Sequence, residues 1–166
     1  MFNKILIIGC GLIGSSIVRA VLDKRLAKKI YILEKSKKYI STIKKINKKL
    51  IIIKKFDKNI NDMELVILST PMSSYDKIIP YLNKFLSANS IITDIGSTRE
   101  NVLNLKKKKL KKSLTWILSH PISGSEVSGP LHGKKNLFLN KWCIVVRDKN
   151  KVKLRKVIGF WKKMGS

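Results

Sequence analysis

Short, nearly all-apolar runs alternate along the chain with longer stretches in which apolar side chains recur every third or fourth position. Lys4–Ile8 is such a run and ends at Gly9, as a central parallel strand does when both its faces are covered. From Leu12 to Leu26, the apolar positions Ile13, Ile17, Ala20, Val21 and Leu22 fall at helical spacing. Ile30–Leu33 predicts a second strand, Ile51–Ile53 a third, and Leu65–Leu68 a fourth that Pro71 stops. A helix is predicted over Tyr75–Leu86, a fifth strand over Ile91–Asp94, and a helix over Arg99–Leu110. Trp116–Leu118 predicts a sixth strand leading into His120-Pro121. Trp142–Val146 predicts one more strand, and Val152–Met164 a last amphipathic helix. Strands alternating with helices define an α/β chain with a doubly wound, mostly parallel sheet. Neither a linker nor an internal repeat interrupts it.

Composition adjusts this picture in three places. The 166 residues, 44% of them hydrophobic, suffice for one substantial core. Cys10 and Cys143 show neither C-x-x-C nor metal-ligand spacing, so no disulfide scaffold and no metal site is expected, and a reducing cytoplasmic setting is the default. Lys+Arg number 36 against 10 acidic residues, a net charge of +26 that raises nucleic-acid binding as a function. The lysines, however, run from Lys4 to Lys163. The densest cluster, six lysines between Lys106 and Lys112, has no aromatic residues interleaved for base stacking and reads as a solvated helix end. No specific nucleic-acid partner is therefore expected. The start, Lys4 followed by Ile5 to Cys10, imitates a signal peptide. It is too short to span a bilayer and runs straight into glycines, so it reads as a buried strand and no membrane partner is expected.

Those glycines carry the first chemistry. Gly9-x-Gly11-x-x-Gly14 follows a predicted strand and opens a predicted helix. Gly9 permits the turn, Gly11 lets the backbone approach a pyrophosphate, and Gly14 lets helix and strand pack closely. The pyrophosphate would rest on the free N–H groups of the helix start, around Leu12 and Ile13. Glu34 stands 20 positions beyond Gly14, at the end of the second strand, where it would accept hydrogen bonds from ribose hydroxyls. Its carboxylate favours NAD by repelling a 2′-phosphate. Lys35, Lys37 and Lys38 would hold that phosphate if Glu34 turned away, which leaves NADP as the alternative cofactor.

Other polar residues sit at strand ends, where open parallel sheets border their ligand crevice. Ser69-Thr70-Pro71 ends the fourth strand and Asp94-Ile95-Gly96-Ser97 the fifth. Both are also ordinary turn sequences, on which reading Asp94 simply hydrogen-bonds its own turn. His120, at the end of the sixth strand and beside the Gly/Ser-rich run Ser123-Gly124-Ser125-Glu126, is a candidate general base. A structural loop histidine is the competing reading. His132 reads as a surface loop residue, Cys10 and Cys143 as buried small apolar groups, and Trp116, Trp142 and Trp161 as packing for the sheet and last helix.

Taken together, these segments resemble the prephenate/arogenate (cyclohexadienyl) dehydrogenase family. The resemblance rests on Gly9-Cys10-Gly11-Leu12-Ile13-Gly14-Ser15-Ser16, Ser69-Thr70-Pro71, Asp94-Ile95-Gly96-Ser97 and the run from His120 to Gly129, in the family's order and at about its spacing. Leu137-Phe138 and Phe160-Trp161-x-x-Met164-Gly165 look like its later landmarks. Arg99 departs from the family's usual lysine but keeps the charge.

The resemblance implies that residues 1–166 form a Rossmann-type NAD(P)-binding domain. It implies oxidative decarboxylation of prephenate to 4-hydroxyphenylpyruvate with hydride transfer to NAD, a step of tyrosine biosynthesis, with arogenate as the alternative substrate. His120 would take the C4 hydroxyl proton, and Ser97 would orient that hydroxyl. Ser123, Gly124, Ser125 and Glu126 would shape the substrate loop. Gly9, Gly11, Leu12, Ile13, Gly14, Glu34, Ser69, Thr70 and Pro71 would hold the cofactor. The family's following helical domain, through which a homodimer is expected, would be missing from a chain that stops at Ser166, and such a fragment would turn over poorly. Competing expectations are a related dehydrogenase acting on another small acid and a dinucleotide-binding domain without activity of its own.

Overall fold

The computed structural model describes residues 1–124 and 126–166 and, of Arg99, the backbone alone. Six strands, β1 (Phe2–Ile8), β2 (Ala27–Leu33), β3 (Ile51–Ile53), β4 (Leu65–Leu68), β5 (Ile91–Asp94) and β6 (Thr115–Ile117), form one sheet in the order β3-β2-β1-β4-β5-β6. Every pairing is parallel, with Ile8 opposite Leu33 on one side and Leu68 on the other. Chain order runs outward from β1 to β3 and then resumes at β4 on the opposite side. The switch point therefore lies between β1 and β4, where α/β sheets open a crevice at their carboxyl ends.

The all-apolar reading of β1 has a direct cause. Ile5 and Ile7 point into one buried cluster with Ile17, Val21, Phe160 and Trp161, while Leu6 and Ile8 point into another with Tyr75, Ile79 and Trp116. Helices α1 (Leu12–Asp23), α2 (Lys37–Ile46) and α5 (Lys151–Met164) cover the first face; α3 (Tyr75–Phe85) and α4 (Arg99–Lys109) cover the second. No helix among the described residues is long and apolar enough to cross a membrane.

Several expectations need correction. Helix α1 ends at Asp23 rather than Leu26, because Arg25 adopts a left-handed conformation (φ 52°) and β2 begins at Ala27. The helix α2, unannounced by the apolar pattern, carries only Ile43 fully into the core. Trp142–Val146 does not join the main sheet: β8 (Cys143–Val145) pairs antiparallel with β7 (Ser119–Pro121) in a separate two-stranded ribbon. His120 thus lies inside β7 and not at the end of the sixth strand. Trp142 is 83% exposed instead of packing the sheet, and Cys143 is only half-buried, whereas Trp116, Trp161 and Cys10 are buried as expected.

Candidate functional site

The carboxyl ends of β1, β2 and β4 enclose a cavity of about 480 Å³ lined by Gly9, Cys10, Gly11, Leu12, Glu34, Ser69, Thr70 and Pro71. Gly9 has φ +83°, and a Cβ there would stand within 3 Å of the Thr70 methyl and the Ser69 carbonyl. A Cβ on Gly14 would strike the Gly9 carbonyl and come 2.8 Å from Ser69 Oγ. These two glycines are required by the fold itself. Gly11 is different: a Cβ there would meet nothing within 4 Å. The backbone at Gly11 faces open space, as it must if a ligand is to approach it. Ile13 and Gly14 lie behind this surface, Gly14 buried and Ile13 packed on the core, and neither lines the cavity.

Helix α1 starts with no capping side chain and no acidic residue in its first turn, so its positive end is open to an anion. Among the described residues, two buried side-chain oxygens lack a hydrogen-bond partner, Ser69 Oγ and Ser123 Oγ. Such orphans are costly, and Ser69 Oγ faces Gly14, behind the cavity surface. The uncapped helix and the open space at Gly11 together fit a dinucleotide phosphate.

Glu34 is held by three backbone donors. Its Oε2 accepts from Cys10 N at 2.8 Å, and its Oε1 accepts from Lys35 N and Ser36 N, each at 2.8 Å. The carboxylate therefore fills the amide nest at the start of α2. Ser36 caps that helix, accepting from Tyr39 N at 3.3 Å. Lys35 reaches the cavity lining, whereas Lys37 and Lys38 point to solvent outside it. Burial, reinforced by the Glu34 charge, pushes the Cys10 thiol up to about 12, so it stays protonated and inert.

Sequence reasoning missed the opposite wall. Phe56 and Tyr81 stack face to face, ring centroids 4.9 Å apart and planes 12° from parallel, and line the cavity with Lys77 and Ile78. Tyr39, Ser128 and Gly129 complete the lining. Phe56 lies in an irregular loop and Tyr81 on α3, so no spacing in the sequence links them.

The second group of predicted residues gathers over the ends of β5 and β6. Asp94 is fully buried. Its Oδ1 accepts from Trp116 Nε1 (3.2 Å) and Ser119 N (3.3 Å), and its Oδ2 from Gly96 N (3.1 Å). Ser119 Oγ donates to the Asp94 carbonyl at 2.6 Å and accepts from Trp161 Nε1 at 3.0 Å. This network sets the neighbouring His120, whose Nδ1 stands 3.3 Å from the Ile95 carbonyl. A bond there places the proton on Nδ1 and leaves Nε2 as an acceptor. Ser97, two residues beyond Ile95, is exposed, as are Gly124 and Glu126. Ser125 lies outside the described residues. His132 is exposed. Among the described residues no cluster of three metal-ligating side chains occurs.

On the ribbon, His120 pairs with Ile144, and Ile122 N donates to the Trp142 carbonyl at 2.8 Å. Ile122, Ile144 and Trp142 are all exposed, so His120 is set within an apolar outer surface.

A parallel doubly wound sheet with a glycine turn and an uncapped helix at its switch point, and an acidic residue at the end of β2, defines a Rossmann-type dinucleotide-binding domain. Residues 17–166 match the family described as "Prephenate dehydrogenase, nucleotide-binding domain", a match that begins just after the glycine turn. The chain belongs to this family. It is 30% identical over 155 residues to the prephenate dehydrogenase of Lactococcus lactis subsp. cremoris, covering 91% of this chain and 43% of the relative. It is 27% identical over 148 residues to the cyclohexadienyl dehydrogenase of Zymomonas mobilis, covering 89% and 50%. The chain therefore spans half or less of these relatives' length. A solved prephenate dehydrogenase from A. aeolicus, in complex with hydroxyphenyl propionate and NAD+, superposes with a TM-score of 0.87 at 27% identity, over 98% of this chain and 57% of that one. The arogenate dehydrogenase of Synechocystis shares the fold, with a TM-score of 0.80 at 19% identity over 98% and 57%.

Proposed function

We propose that residues 1–166 form the NAD-binding domain of a dehydrogenase that converts prephenate to 4-hydroxyphenylpyruvate. The observation that carries this reading is the pairing of two sites on one sheet edge. An open glycine cavity lies at β1 and β4, and a histidine aimed by the Ile95 carbonyl lies over β5.

The bound nicotinamide supplies the hydride acceptor. Gly9 and Gly11 would bring the backbone to the pyrophosphate, which the N–H groups of Leu12 and Ile13 and the α1 dipole would stabilise. Ser69, Thr70 and Pro71 would form the β4 side of the cofactor cavity, and the Phe56–Tyr81 pair would offer a flat wall for the adenine. Glu34 accepts from the ribose hydroxyls. Its hold on the Lys35 and Ser36 amides supports NAD over NADP, because a 2′-phosphate would need those same donors.

At the reacting end, His120 Nε2 accepts the hydrogen bond of the substrate's C4 hydroxyl and takes its proton as hydride leaves C4. The ring carboxylate departs as carbon dioxide, its electron pair aromatises the ring, and the proton returns to the phenolate oxygen. Ser97 orients the hydroxyl, and Ser123 to Glu126 shape the loop around the ring. The role requires a neutral imidazole with Nε2 free to accept. The relatives' greater length supports a view in which the apolar surface around His120 is covered in the whole enzyme; a cytoplasmic homodimer is part of this proposal.

The test is absorbance at 340 nm, using the complete reading frame that encodes this chain. Prephenate and arogenate are each supplied with NAD and with NADP. Prephenate-dependent reduction of NAD is expected; reduction with arogenate alone moves the substrate to the alternative. A folded protein that binds NADH but reduces neither cofactor with either substrate is a dinucleotide-binding domain of another kind.

A further inference from the structure

The chain that follows the His120 loop returns to the dinucleotide cavity. Ser128 and Gly129 line that cavity, and Gly129, at φ +90°, is seated on Tyr39: a Cβ there would lie 3.4 Å from Tyr39 Oη. Pro130–His132 then forms a short turn against α1 and α2. Lys134 donates its backbone N–H to Ser16 Oγ at 3.0 Å. Gly133 sits so close to Ser15 Oγ that a side chain would collide. Phe138 is fully buried, edge-on to Trp161 at 5.4 Å. The run ends in β8, where Ile144 pairs with His120.

One continuous stretch, residues 128–145, therefore has its first turn in the cavity wall and its last strand bonded to the strand of the candidate base. Between them it is pinned to the glycine-turn helix and to the core. Much of this segment is exposed, and its fixed points are Pro130, the Lys134 bond to Ser16, Phe138 and β8, which tie the cavity wall to the ribbon through α1 and the core. Ordering one end lowers the cost of ordering the other.

We propose that the Ser128–Gly129 turn is a cofactor-contacting wall over the adenosine half of the dinucleotide, and that cofactor binding there orders β8 and the His120 strand. Dinucleotide and substrate then bind with positive coupling, each favouring the other by the same factor. This rests on the dinucleotide-binding reading given above.

The test is hydrogen–deuterium exchange of the 166-residue chain with and without saturating NADH, paired with NADH titration of Gly129→Ala. Exchange in residues 127–134 and 143–145 is expected to slow at least about threefold, alongside residues 9–16. Gly129→Ala, strained at positive φ, is expected to weaken NADH binding roughly tenfold. Protection confined to residues 9–16 and 34–39 would overturn the inference while leaving the dinucleotide site intact. Protection of 127–134 without 143–145 would overturn the coupling. Unchanged NADH affinity in a folded Gly129→Ala variant would overturn the wall. If that variant fails to fold, the wild-type exchange pattern decides alone. No NADH binding at all would overturn both the inference and the function beneath it.

Discussion

Ser119 is bound twice to Asp94, 25 residues earlier: its hydroxyl donates to the Asp94 carbonyl at 2.6 Å and its N–H to Asp94 Oδ1 at 3.3 Å. The pair joins the end of β5 to the ribbon that carries His120. With Trp116 Nε1 and Gly96 N on the same carboxylate, a buried acidic group becomes the fixed point of the strand ends beside His120.

Asp94→Asn places an amide N–H₂ against one of these donors. We expect a loss of about 2–3 kcal/mol, since a broken buried charged network costs on that order. A thermal melt would read it as a Tm lower by roughly 5–10 °C. NADH affinity should change little, because Asp94 lies outside the cavity lining. An unshifted Tm would mean that the network is not what positions the ribbon.

Gly14→Ala is expected to destabilise the fold, since the added Cβ meets the Gly9 carbonyl, which cannot move without the turn. Overpacking of this kind costs about 1–3 kcal/mol. Chemical denaturation would show a lower midpoint at unchanged slope; a wild-type midpoint would contradict the close helix–strand approach.

His120→Asn in the complete enzyme should lower kcat by about 10²–10⁴-fold, the usual loss for a general base. Asparagine keeps a donor near the Ile95 carbonyl, so NADH affinity should stay within about twofold, as the cavity lining does not include His120. Retention of more than half the wild-type kcat would remove His120 from the chemistry.

Much of this was legible before any coordinates. An unbroken apolar strand ending in spaced glycines has few other uses, and β1 shows why: both faces are buried, so alternation disappears. Glu34 was placed by spacing, but not its three amide bonds, which depend on how two loops meet. Asp94 read as a turn residue, and it does bond Gly96 N; its ties to Trp116 and Ser119 are long-range and leave no local pattern. The β7–β8 ribbon has three residues per strand, too few for periodicity to register. Trp142 was misplaced for the same reason, because hydrophobicity alone cannot tell a core residue from one on an exposed apolar surface.

Acid should expose one further interaction. Burial raises the Asp148 carboxyl, but bonds from Lys106 and Asn150 N and the charges of Lys106 and Lys151 outweigh it and hold the group below its ordinary value. A carboxyl depressed in the fold stabilises fully above its unfolded pKa, near 3.9, and the contribution is lost as pH falls through the lower folded value. Lys106→Ala should therefore melt below the wild type at pH 7, and the gap should narrow as pH falls below the ordinary carboxylate range. A gap independent of pH would assign Lys106 to packing alone.

The most direct test of the central claim is calorimetric titration of NADH into the 166-residue chain and into Gly11→Ala. A Cβ at Gly11 meets no protein atom within 4 Å, so the variant should melt within about a degree of wild type. The same Cβ would occupy the space reserved for the pyrophosphate. The account predicts saturable one-to-one binding by the wild type and at least about tenfold weaker binding by the variant. No saturable binding by the wild type, or equal affinity in an equally stable variant, would contradict it.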